Sequence, residues 1–434
     1  MAARSIVILL MMTMLLPMVT AQSSEAIDYG FGAELSDNPE DAPLTYSFSP
    51  AVRAAFARSS DLSQYDAAEQ QTVSQWVVVS KEKMGDYAPN LANAYIIDAD
   101  FDNGARLLAK LQYQTLIEVA YPLVSKTYTP KWTPNDARFN DQWHLLNTGQ
   151  TGGNAGEDAN ITNAWDDYRG DGIVIGIVDD GLDWQHPDLD NYYEETLDYD
   201  FCDNDNDPSP SYYDGHGTSA AGVAAAAGNN TIGVSGAAPE ASLAGLLLIA
   251  CSTTDIRESN ALSHNRQDID IYSNSWGPSD NGRTVEAPGA LMLAAFENDV
   301  SQGRGGLGNI ITWAAGNGLD DDDNSNFDGY ANSRHTIAVT AVTHYGQQSW
   351  YAEPGANILV AAPSDGSGEG ITTTDNEGGG GYNNGDYNDD FGGTSSATPL
   401  VSGVIALILE ANPNLTYRDV EHIIAPVSYT HLTL

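Results

Sequence analysis

The chain has 434 residues and a strongly acidic composition, with 60 Asp and Glu against 17 Lys and Arg and a formal net charge of -43. Its length allows two domains and at least one large hydrophobic core. We expect no nucleic acid partner, because contacts to phosphate require clustered Lys and Arg. The excess of carboxylates fits a solvated surface in a saline medium, calcium sites, or substrates that carry positive charge.

The first 21 residues predict a secretory signal peptide. Arg4 provides the positively charged start, residues 6–18 the apolar core, and residues 19–21 a cleavage site of small residues. The apolar stretch is short for a membrane span, and no later segment reaches about 18 consecutive apolar residues. We therefore expect an exported protein with no stable membrane anchor in this chain.

A small α+β domain is predicted before the main body. Residues 22–66 have weak periodicity, which indicates a loose leader. The pattern beyond them predicts three strands and one helix, at 75–79, 93–97 and 116–122 and at 104–111. Residues 126–135 contain two prolines and indicate a linker. Given the body that follows, we interpret 22–127 as a pro-segment that inhibits and chaperones it; an ordinary N-terminal domain is the alternative.

From residue 142 onward the pattern becomes that of an α/β fold. The run 172–178 is continuously apolar, as in a strand buried on both faces of a parallel sheet. Further buried strands are predicted at 241–249, 269–273, 310–314 and 336–342, and an Ala-rich helix at 218–227. Strands that alternate with helices predict a doubly wound parallel sheet with helices on both faces and a site at the carboxyl ends of the strands.

Residues 393–399, Gly-Thr-Ser-Ser-Ala-Thr-Pro, contain the strongest candidate for a nucleophile. They follow a Gly/Asn/Asp-rich loop at 378–390 and precede a mostly apolar run at 400–409. Ser395 is therefore predicted at the N-terminus of a buried helix, where unpaired N–H groups favour developing negative charge. A serine hydroxyl is a weak nucleophile alone and needs a base, together with a group that orients the base.

Three other short motifs supply those partners. Asp179 ends a predicted strand and can hold a histidine in one tautomer, and His216 starts a helix between two glycines and can accept the serine proton. Asn317, in Ala-Gly-Asn-Gly, can stabilise the oxyanion together with the Ser395 N–H. Each motif alone is a weak signal, but all four in the order Asp, His, Asn, Ser indicate a subtilisin-like serine protease site.

The body from about residue 136 to residue 426 resembles a subtilisin-family serine protease and, within that family, the kexin/furin branch of proprotein convertases. The motifs that carry the resemblance lie at 179–183, 270–278, 300–308 and 328–333. The resemblance implies a subtilisin-like catalytic domain at 128–426, truncated at its C-terminal end. It also implies a secreted endopeptidase acting on protein or peptide substrates with basic residues. Residues 427–434 do not resemble the family and are expected to be an unrelated tail.

The resemblance further implies which side chains would select a basic substrate. Asp328 is expected in the pocket for the basic residue before the scissile bond, with Asp280 beside it. A guanidinium in a partly dry pocket needs such a carboxylate partner, preferably bidentate. For basic substrate residues further from the scissile bond, the resemblance implies Asp180 at the second residue. It implies Glu258, Glu286 and Tyr330 at a basic residue further upstream.

Two calcium sites are also implied by the resemblance. The ligands implied for the first, under the basic pocket, are Asp280, Asp323 and Glu353. The ligands implied for the second are Asp136, Asp188 and Asn230, completed by backbone carbonyls. The alternating acids at 203–207 offer a third oxygen-rich loop, which an Asx-rich turn explains almost as well.

Two features inside the chain depart from the branch. Residues 212–215, Tyr-Tyr-Asp-Gly, lack an additional acid, so the preference for a second basic residue is expected to be relaxed. The junction after the pro-segment has only Lys126 and Lys131 nearby, so maturation there would need a single basic residue or another protease.

Two other functions and two states of the cysteines stay open at this point. A broad-specificity subtilisin-like protease would not need the acid-rich pocket, and a non-catalytic calcium-binding relative would not need the intact four-part site.

Cys202 and Cys251 are the only cysteines. A single bridge and two buried thiols are about equally compatible with the sequence.

Overall fold

The computed structural model describes residues 49–81, 94–111, 117–125 and 132–427. The predicted signal peptide and residues 428–434 of the predicted tail lie outside these ranges. The chain forms two compact units that divide between Pro130 and Lys131.

The smaller unit is an α+β domain whose three-stranded antiparallel sheet has the order β2-β1-β3. Its helices and strands are α1 (Pro50–Ser59), α2 (Ala67–Thr72), β1 (Gln75–Ser80), β2 (Ala94–Asp98), α3 (Phe101–Leu111) and β3 (Ile117–Leu123). The three predicted strands and the helix are confirmed. The prediction of a loose leader is wrong for α1. The Ser49 side chain accepts a hydrogen bond from the Val52 N–H, and Pro50 occupies the first turn, so that both residues start a helix.

The larger unit is built on a seven-stranded parallel sheet of order β10-β9-β8-β7-β4-β6-β5. Its strands are β4 (Val174–Asp179), β5 (Tyr199–Asp200), β6 (Ser242–Leu247), β7 (Ile271–Asn274), β8 (Ile310–Ala314), β9 (Ile337–Val342) and β10 (Ile358–Pro363). The sequence patterns do not predict the two edge strands. β5 has only two residues, and β10 ends in a proline, which the interior of a sheet excludes.

Helices cover both faces of this sheet, which confirms the predicted α/β fold. The helices of the larger unit are α4 (His216–Ala225), α5 (Asp255–Leu262), α6 (Ala290–Gln302), α7 (Thr394–Ala411) and α8 (Tyr417–Val427). Ala221 of α4 and Leu400 of α7 belong to the core on one face. Ala261 of α5 and Phe296 of α6 belong to a second core on the other face. Burial on both faces explains why the strands read as continuous apolar runs.

Helix α7 brings Ser395 into the body of the protein. The antiparallel pair β11 (Ile371–Thr374) and β12 (Tyr387–Phe391) leads into it, so the predicted loop at 378–390 includes most of β12. Among the described residues, α7 alone is long and apolar enough for a bilayer, but 83% of it is buried inside the protein. It therefore has the surroundings of a core helix. It crosses α4 closely at Gly403, where a β-carbon would lie 2.6 Å from the Ala224 carbonyl oxygen.

Cys202 and Cys251 form a disulfide, which resolves the alternative that the sequence left open. The bridge joins the turn after β5 to the turn after β6 across a separation of 49 residues. Because β5 and β6 are paired strands, the two cysteines follow neighbouring carboxyl ends of the sheet.

Candidate active site

The four predicted catalytic residues lie at element ends on one edge of the larger unit's sheet. Asp179 is the last residue of β4, and Asn317 follows the end of β8. His216 is the first residue of α4, and Ser395 is the second residue of α7. Carboxyl ends of parallel strands share one edge of a sheet, and the crossover helices begin there. The topology thus gathers residues that are widely separated in the sequence.

Asp179 and His216 form a close hydrogen-bonded pair. The two atoms, His216 Nδ1 and Asp179 Oδ1, are 2.8 Å apart. The Asp179 side chain is 1% exposed and that of His216 is 23% exposed. A carboxylate can only accept, so Nδ1 carries the proton and Nε2 is left with a lone pair. The imidazole is therefore oriented by a buried carboxylate and remains reachable from solvent.

The neighbouring carboxylates increase the basicity of His216. Burial opposes the charged imidazole, but the attraction of Asp179 outweighs it and raises the pKa of His216 above its ordinary value. Burial, together with the charge of Asp179, raises the pKa of Asp180 to about 7. The Asp180 carboxylate accepts hydrogen bonds from the His216 and Gly217 N–H groups at 3.2 and 2.7 Å. Asp180 therefore caps the first two N–H groups of α4.

The Ser395 hydroxyl is half-buried and donates a hydrogen bond to the Ser275 carbonyl oxygen at 3.3 Å. The Ser275 hydroxyl in turn donates to the Ser395 carbonyl oxygen at 3.0 Å. Among the described residues, no hydrogen bond joins Ser395 Oγ to His216. Catalytic hydrogen bonds are often long or unformed in free enzymes and tighten only with substrate. A rotation of the hydroxyl away from Ser275 would be needed to reach the imidazole.

The Asn317 side chain is held in one orientation. Its Oδ1 accepts from the Thr394 N–H at 2.8 Å and from the Thr394 hydroxyl at 3.0 Å. Because these donors require the amide oxygen at that position, the NH2 group points elsewhere, and it has no partner among the described residues. A β-carbon at Gly393 would lie 3.4 Å from Asn317 Nδ2 and 3.5 Å from the Ser395 nitrogen. The Asn317 amide and the Ser395 N–H thus both lie close to Gly393, beside the nucleophile.

Asp365 belongs to this site and is missed by the sequence patterns. Its Oδ1 accepts a hydrogen bond from the Gly393 N–H at 2.8 Å and another from the Tyr351 hydroxyl at 2.5 Å. These bonds hold the backbone two residues before Ser395, where Gly393 has a φ of 73° that disfavours other residues. Asp365 lies in a loop without periodicity, so no local signal in the sequence marks it. Thr394 and Ser275, in contrast, stand inside motifs that the sequence does single out.

Asp328 lies half-buried in a cleft next to Gly277. Its Oδ1 accepts from the Tyr330 N–H at 2.7 Å, and its Oδ2 would lie 2.9 Å from a β-carbon at Gly277. Burial raises the pKa of Asp328 to about 6. Residues lining the same cleft include Pro278, Asp280, Ala315, Gly316 and Glu353. The cleft presents one carboxylate oxygen beside a position that has no side chain, and a β-carbon at Gly277 would crowd that oxygen.

The three side chains predicted to receive a more distant basic residue differ in exposure. Glu258 and Tyr330 are 8% and 5% exposed, and the Tyr330 hydroxyl donates to Glu258 Oε2 at 2.8 Å. The other oxygen of Glu258 accepts from the Thr253 hydroxyl. Glu286 is exposed and forms a backbone bridge with Asp328. Glu286 is therefore the carboxylate of this set that solvent can reach, whereas Glu258 and Tyr330 satisfy each other.

One of the two predicted calcium sites is a compact group of carboxylates. Asp280, Asp323 and Glu353 each place one oxygen within 4.8 Å of the others. Burial raises the pKa of Glu353 to about 7, and the nearby carboxylates add to the effect. Three acids this close repel one another unless a cation or protons intervene, so the set fits a hard cation. Asp280 also accepts the Asn317 N–H at 2.8 Å, which links the group to the oxyanion side.

The second predicted set lies together but is arranged differently. Asn230 donates its side-chain NH2 to Asp188 Oδ1 at 2.7 Å, and Asp136 accepts from the Asn229 and Asn230 N–H groups. Asp188 also accepts from the Val234 N–H at 2.9 Å. Each of these two carboxylates thus already accepts hydrogen bonds within the protein, as the carboxylates of the first set also do, and calcium binding here stays a prediction.

Two of the acids at 203–207 form Asx turns. Asp205 Oδ1 accepts from the Asp207 N–H, and Asp207 Oδ1 accepts from the Ser209 N–H, at 3.0 and 3.2 Å. The turn alternative therefore accounts for this loop without a metal.

Comparison with known proteins identifies the family of the chain. Residues 170–427 match the subtilase family of peptidases. A PC3-like endoprotease (variant B) of Hydra vulgaris is 43% identical over 300 residues, covering 67% of this chain and 41% of that protein. Neuroendocrine convertase 2 of Homo sapiens is 44% identical over 299 residues, covering 67% of this chain and 46% of that protein. The chain spans less than half of the length of these relatives.

Solved structures show the same fold. The crystal structure of the serine protease of Aeromonas sobria has a TM-score of 0.61 at 28% identity, covering 69% of this chain and 58% of that one. A protease of Pseudoalteromonas arctica has a TM-score of 0.55 at 26% identity, covering 68% and 92% of the two chains. The predicted resemblance to subtilisin-type proteases of the kexin-like convertase branch is confirmed. The chain therefore belongs to the subtilase family of serine endopeptidases.

Proposed function

We propose that the protein is a calcium-dependent serine endopeptidase of the secretory pathway that cleaves peptide bonds after basic residues. The observation that carries the proposal is the pairing of the buried Asp179 with the accessible His216, on the sheet edge where the helix bearing Ser395 begins. The amide of Asn317 is oriented for the same chemistry. The half-buried Asp328 supports the preference for a basic residue.

In the proposed reaction Ser395 Oγ attacks the carbonyl carbon of the scissile bond while its proton passes to His216 Nε2. The resulting oxyanion accepts hydrogen bonds from Asn317 Nδ2 and the Ser395 N–H. His216 then gives the proton to the leaving nitrogen, the C–N bond breaks, and an ester to Ser395 remains. Water, deprotonated by His216, then attacks the ester carbon, and the proton returns from His216 to Ser395 Oγ as the C–O bond to the serine breaks. Asp179 stays ionised throughout and stabilises the imidazolium.

Asn317→Ala is expected to lower kcat by about 100- to 1000-fold with a small change in KM, because the amide is used mainly in the transition state. Steady-state kinetics on a peptide with Arg before the cleaved bond would measure it. Thr394→Val is the matched control for lost orientation, since it keeps the backbone N–H bond to Asn317 and removes only the hydroxyl bond. A full kcat in Asn317→Ala would contradict the proposed oxyanion role.

The value of kcat/KM is expected to rise with pH across the neutral range. His216 acts as a base only when it is neutral. Its pKa is raised above the ordinary histidine value of about 6.5, so the neutral form is scarce near that pH. In Asp180→Asn the loss of one adjacent carboxylate lowers the pKa of His216, so the rising limb should move to lower pH. Initial rates measured far below KM would show the shift. An unchanged limb would argue against this electrostatic coupling.

In the proposed enzyme, calcium would be held by Asp280, Asp323 and Glu353, where it supplies positive charge that offsets three neighbouring carboxylates. Calcium is therefore expected to raise Tm by about 5 °C or more at 100 times its Kd. Glu353→Gln should abolish this dependence. Asp322→Asn is the control, because it removes an exposed charge nearby and asparagine tolerates the left-handed φ of 57° found there. An equal calcium response in both variants would reject the site.

Two broader parts of the proposal concern export and maturation. The signal-like residues 1–21 support entry into the secretory pathway, and the separate α+β unit supports a pro-segment that inhibits the enzyme until it is removed. A broad-specificity subtilase is the second candidate, favoured by the capping bonds that engage Asp180. Labelling of Ser395 by a fluorophosphonate tests catalysis, and a peptide library tests specificity. No labelling would favour the non-catalytic alternative, and no enrichment of Arg or Lys before the cut would favour the broad protease.

A further inference from the structure

We infer that Asn229 is an N-glycosylation site and that the first sugar of its glycan packs into the cleft beside it. Asn229, Asn230 and Thr231 form the acceptor pattern Asn-X-Ser/Thr, which N-linked glycans require in exported proteins. The inference rests on the export part of the proposed function, because N-linked glycans are added in the secretory pathway.

The acceptor pattern occurs three times in the sequence, at Asn160, Asn229 and Asn414. Asn160 is half-buried, and the residue after it, Ile161, is 3% exposed and belongs to the core, so a glycan has little room there. Asn229 and Asn414 are both exposed. Asn229 in addition lines an open cleft in which a sugar can be held.

The turn that carries Asn229 is fixed, but the Asn229 side chain is not used to fix it. The Asn229 and Asn230 N–H groups donate to the Asp136 carboxylate at 2.7 and 3.1 Å. Asn230 also uses its side chain, which donates to Asp188 Oδ1 at 2.7 Å. The Asn229 side chain has no hydrogen-bond partner within the part of the chain that the structure describes. Its amide can therefore be modified without the loss of an internal bond.

The cleft beside Asn229 has the aromatic and polar lining of a sugar site. Its volume is about 370 Å³, and its lining residues include Trp132, Tyr192 and Glu240. Tyr192 is 39% exposed, so its ring is available to the apolar face of a hexose. Glu240 Oε1 accepts from Arg169 Nε at 2.6 Å, whereas Glu240 Oε2 has no hydrogen-bond partner among the described residues. That oxygen can accept from a sugar hydroxyl or from the N-acetyl N–H.

The wall of the cleft at Trp132 is held in place before any sugar binds. The Trp132 ring packs edge-on against Trp165 with centroids 5.3 Å apart, and the Arg169 guanidinium lies 5.6 Å from its centroid. A β-carbon at Gly228 would lie 3.1 Å from Trp132 Cη2, so the turn before Asn229 contacts this ring. An ordered wall loses little entropy when it holds a ligand, and a sugar attached to the adjacent residue is present at high effective concentration.

A glycan at Asn229 would lie away from the candidate active site. Asn229 follows the C-terminal end of α4, whereas His216 is the first residue of this ten-residue helix. The helix has a length of about 15 Å, so the sugar and the imidazole are at opposite ends of it. Glycosylation is therefore compatible with the proposed catalysis.

The modification is a group transfer to Asn229 Nδ2. This nitrogen attacks C1 of the first sugar of a lipid diphosphate-linked oligosaccharide. The N–C1 bond forms as the bond from C1 to the diphosphate oxygen breaks. The lipid diphosphate leaves with the bonding electrons, and Nδ2 loses one proton. The transferase of the secretory pathway supplies the donor and recognises the hydroxyl of Thr231.

Thr231→Ser and Thr231→Ala are a matched pair for testing occupancy. Serine keeps the acceptor pattern and alanine destroys it, while both remove a branched side chain at a φ of 74°. The full chain is expressed in eukaryotic cells and collected from the medium. Peptide N-glycosidase in heavy-oxygen water then converts each glycosylated asparagine to a labelled aspartate. We expect label at Asn229 in the unchanged protein and in Thr231→Ser, and none in Thr231→Ala.

The thermal stability of the same pair tests the place of the first sugar. An endoglycosidase trims every glycan to one sugar, and the pair made with glycosylation blocked gives the baseline. The Tm of trimmed Thr231→Ser should exceed that of Thr231→Ala by about 2 °C more than the baseline difference. Adding Tyr192→Ser to both variants should remove most of this gain, because the sugar then loses the ring that it packs against.

An exported protein without label at Asn229 would overturn the inference, whether or not Asn414 is labelled. Label at Asn229 without a gain in Tm above the baseline would overturn the packing of the sugar in the cleft, as would a gain that persists in Tyr192→Ser. A chain that stays inside the cell without label would reject the proposed export, and the glycan with it. Peptide hydrolysis by the purified protein is measured separately, so none of these outcomes is confused with a failure of the proposed catalysis.

Discussion

Ser395→Ala is expected to lower kcat for a peptide substrate by about a million-fold, to the residual rate that binding and the oxyanion donors alone provide. The hydroxyl is the atom that forms the covalent bond, and no other side chain can replace it. Single-turnover measurements with a high concentration of folded protein would resolve the residual rate. Mass spectrometry after incubation with a fluorophosphonate should show one adduct in the unchanged protein and none in the variant.

The adjacent serine provides a matched control. Ser396→Ala removes a buried hydroxyl one residue along the same helix, with a cost of about 1 kcal/mol for a lost hydrogen bond, and should keep labelling at Ser395. Activity that survives in Ser395→Ala, after contaminating proteases have been inhibited, would contradict the assignment of the nucleophile. A fall of equal size in both variants would indicate a folding defect instead.

Asp328→Asn is expected to lower kcat/KM by about 1000- to 10,000-fold for a peptide with Arg before the cleaved bond. The variant leaves a guanidinium without a charged partner in a half-buried cleft, and an unpaired charge there is costly. A peptide with Leu at the same position should change by less than about tenfold. The change in selectivity is therefore the quantity to measure, as the ratio of kcat/KM for the two peptides.

Asp320→Asn is the control for the loss of one negative charge, because Asp320 is exposed and precedes by three residues Asp323, which lines the same cleft. Its selectivity should match that of the unchanged protein. Burial raises the pKa of Asp328 to about 6, so the preference for Arg should also weaken below that pH as the carboxyl becomes protonated. Equal selectivity in Asp328→Asn and Asp320→Asn would reject this pocket.

The reactive residues could be predicted because each occupies a locally recognisable place. Asp179 ends a continuously apolar strand, His216 stands between glycines at a helix start, and Ser395 opens an apolar helix. Burial and element type follow from periodicity, and element ends at one edge of a parallel sheet meet in space. The helix at 50–59, inside the predicted leader, was harder to predict, since the formation of a short helix depends on capping more than on its apolar pattern.

Contacts between side chains distant in sequence could not be obtained in the same way. The structure shows that the Glu258 carboxylate is engaged by Tyr330, that the Asp180 oxygens cap α4, and that Asn230 donates to Asp188. In a chain with 60 acidic residues, nothing local distinguishes a carboxylate that bonds to the protein from one that is free for a ligand. That distinction depends on the donors that the fold places around each oxygen.

The amino-acid sequence by itself determined the α/β fold of the body, the order of the reactive side chains and the acidic character of the chain, because each of these follows from residue type and spacing. Only the tertiary structure decided that Cys202 pairs with Cys251, which way the Asn317 amide points, and that Asp365 supports the backbone before Ser395. Orientation and pairing are set by atoms that come within a few ångströms after folding, and the spacing of residues along a chain does not encode those distances.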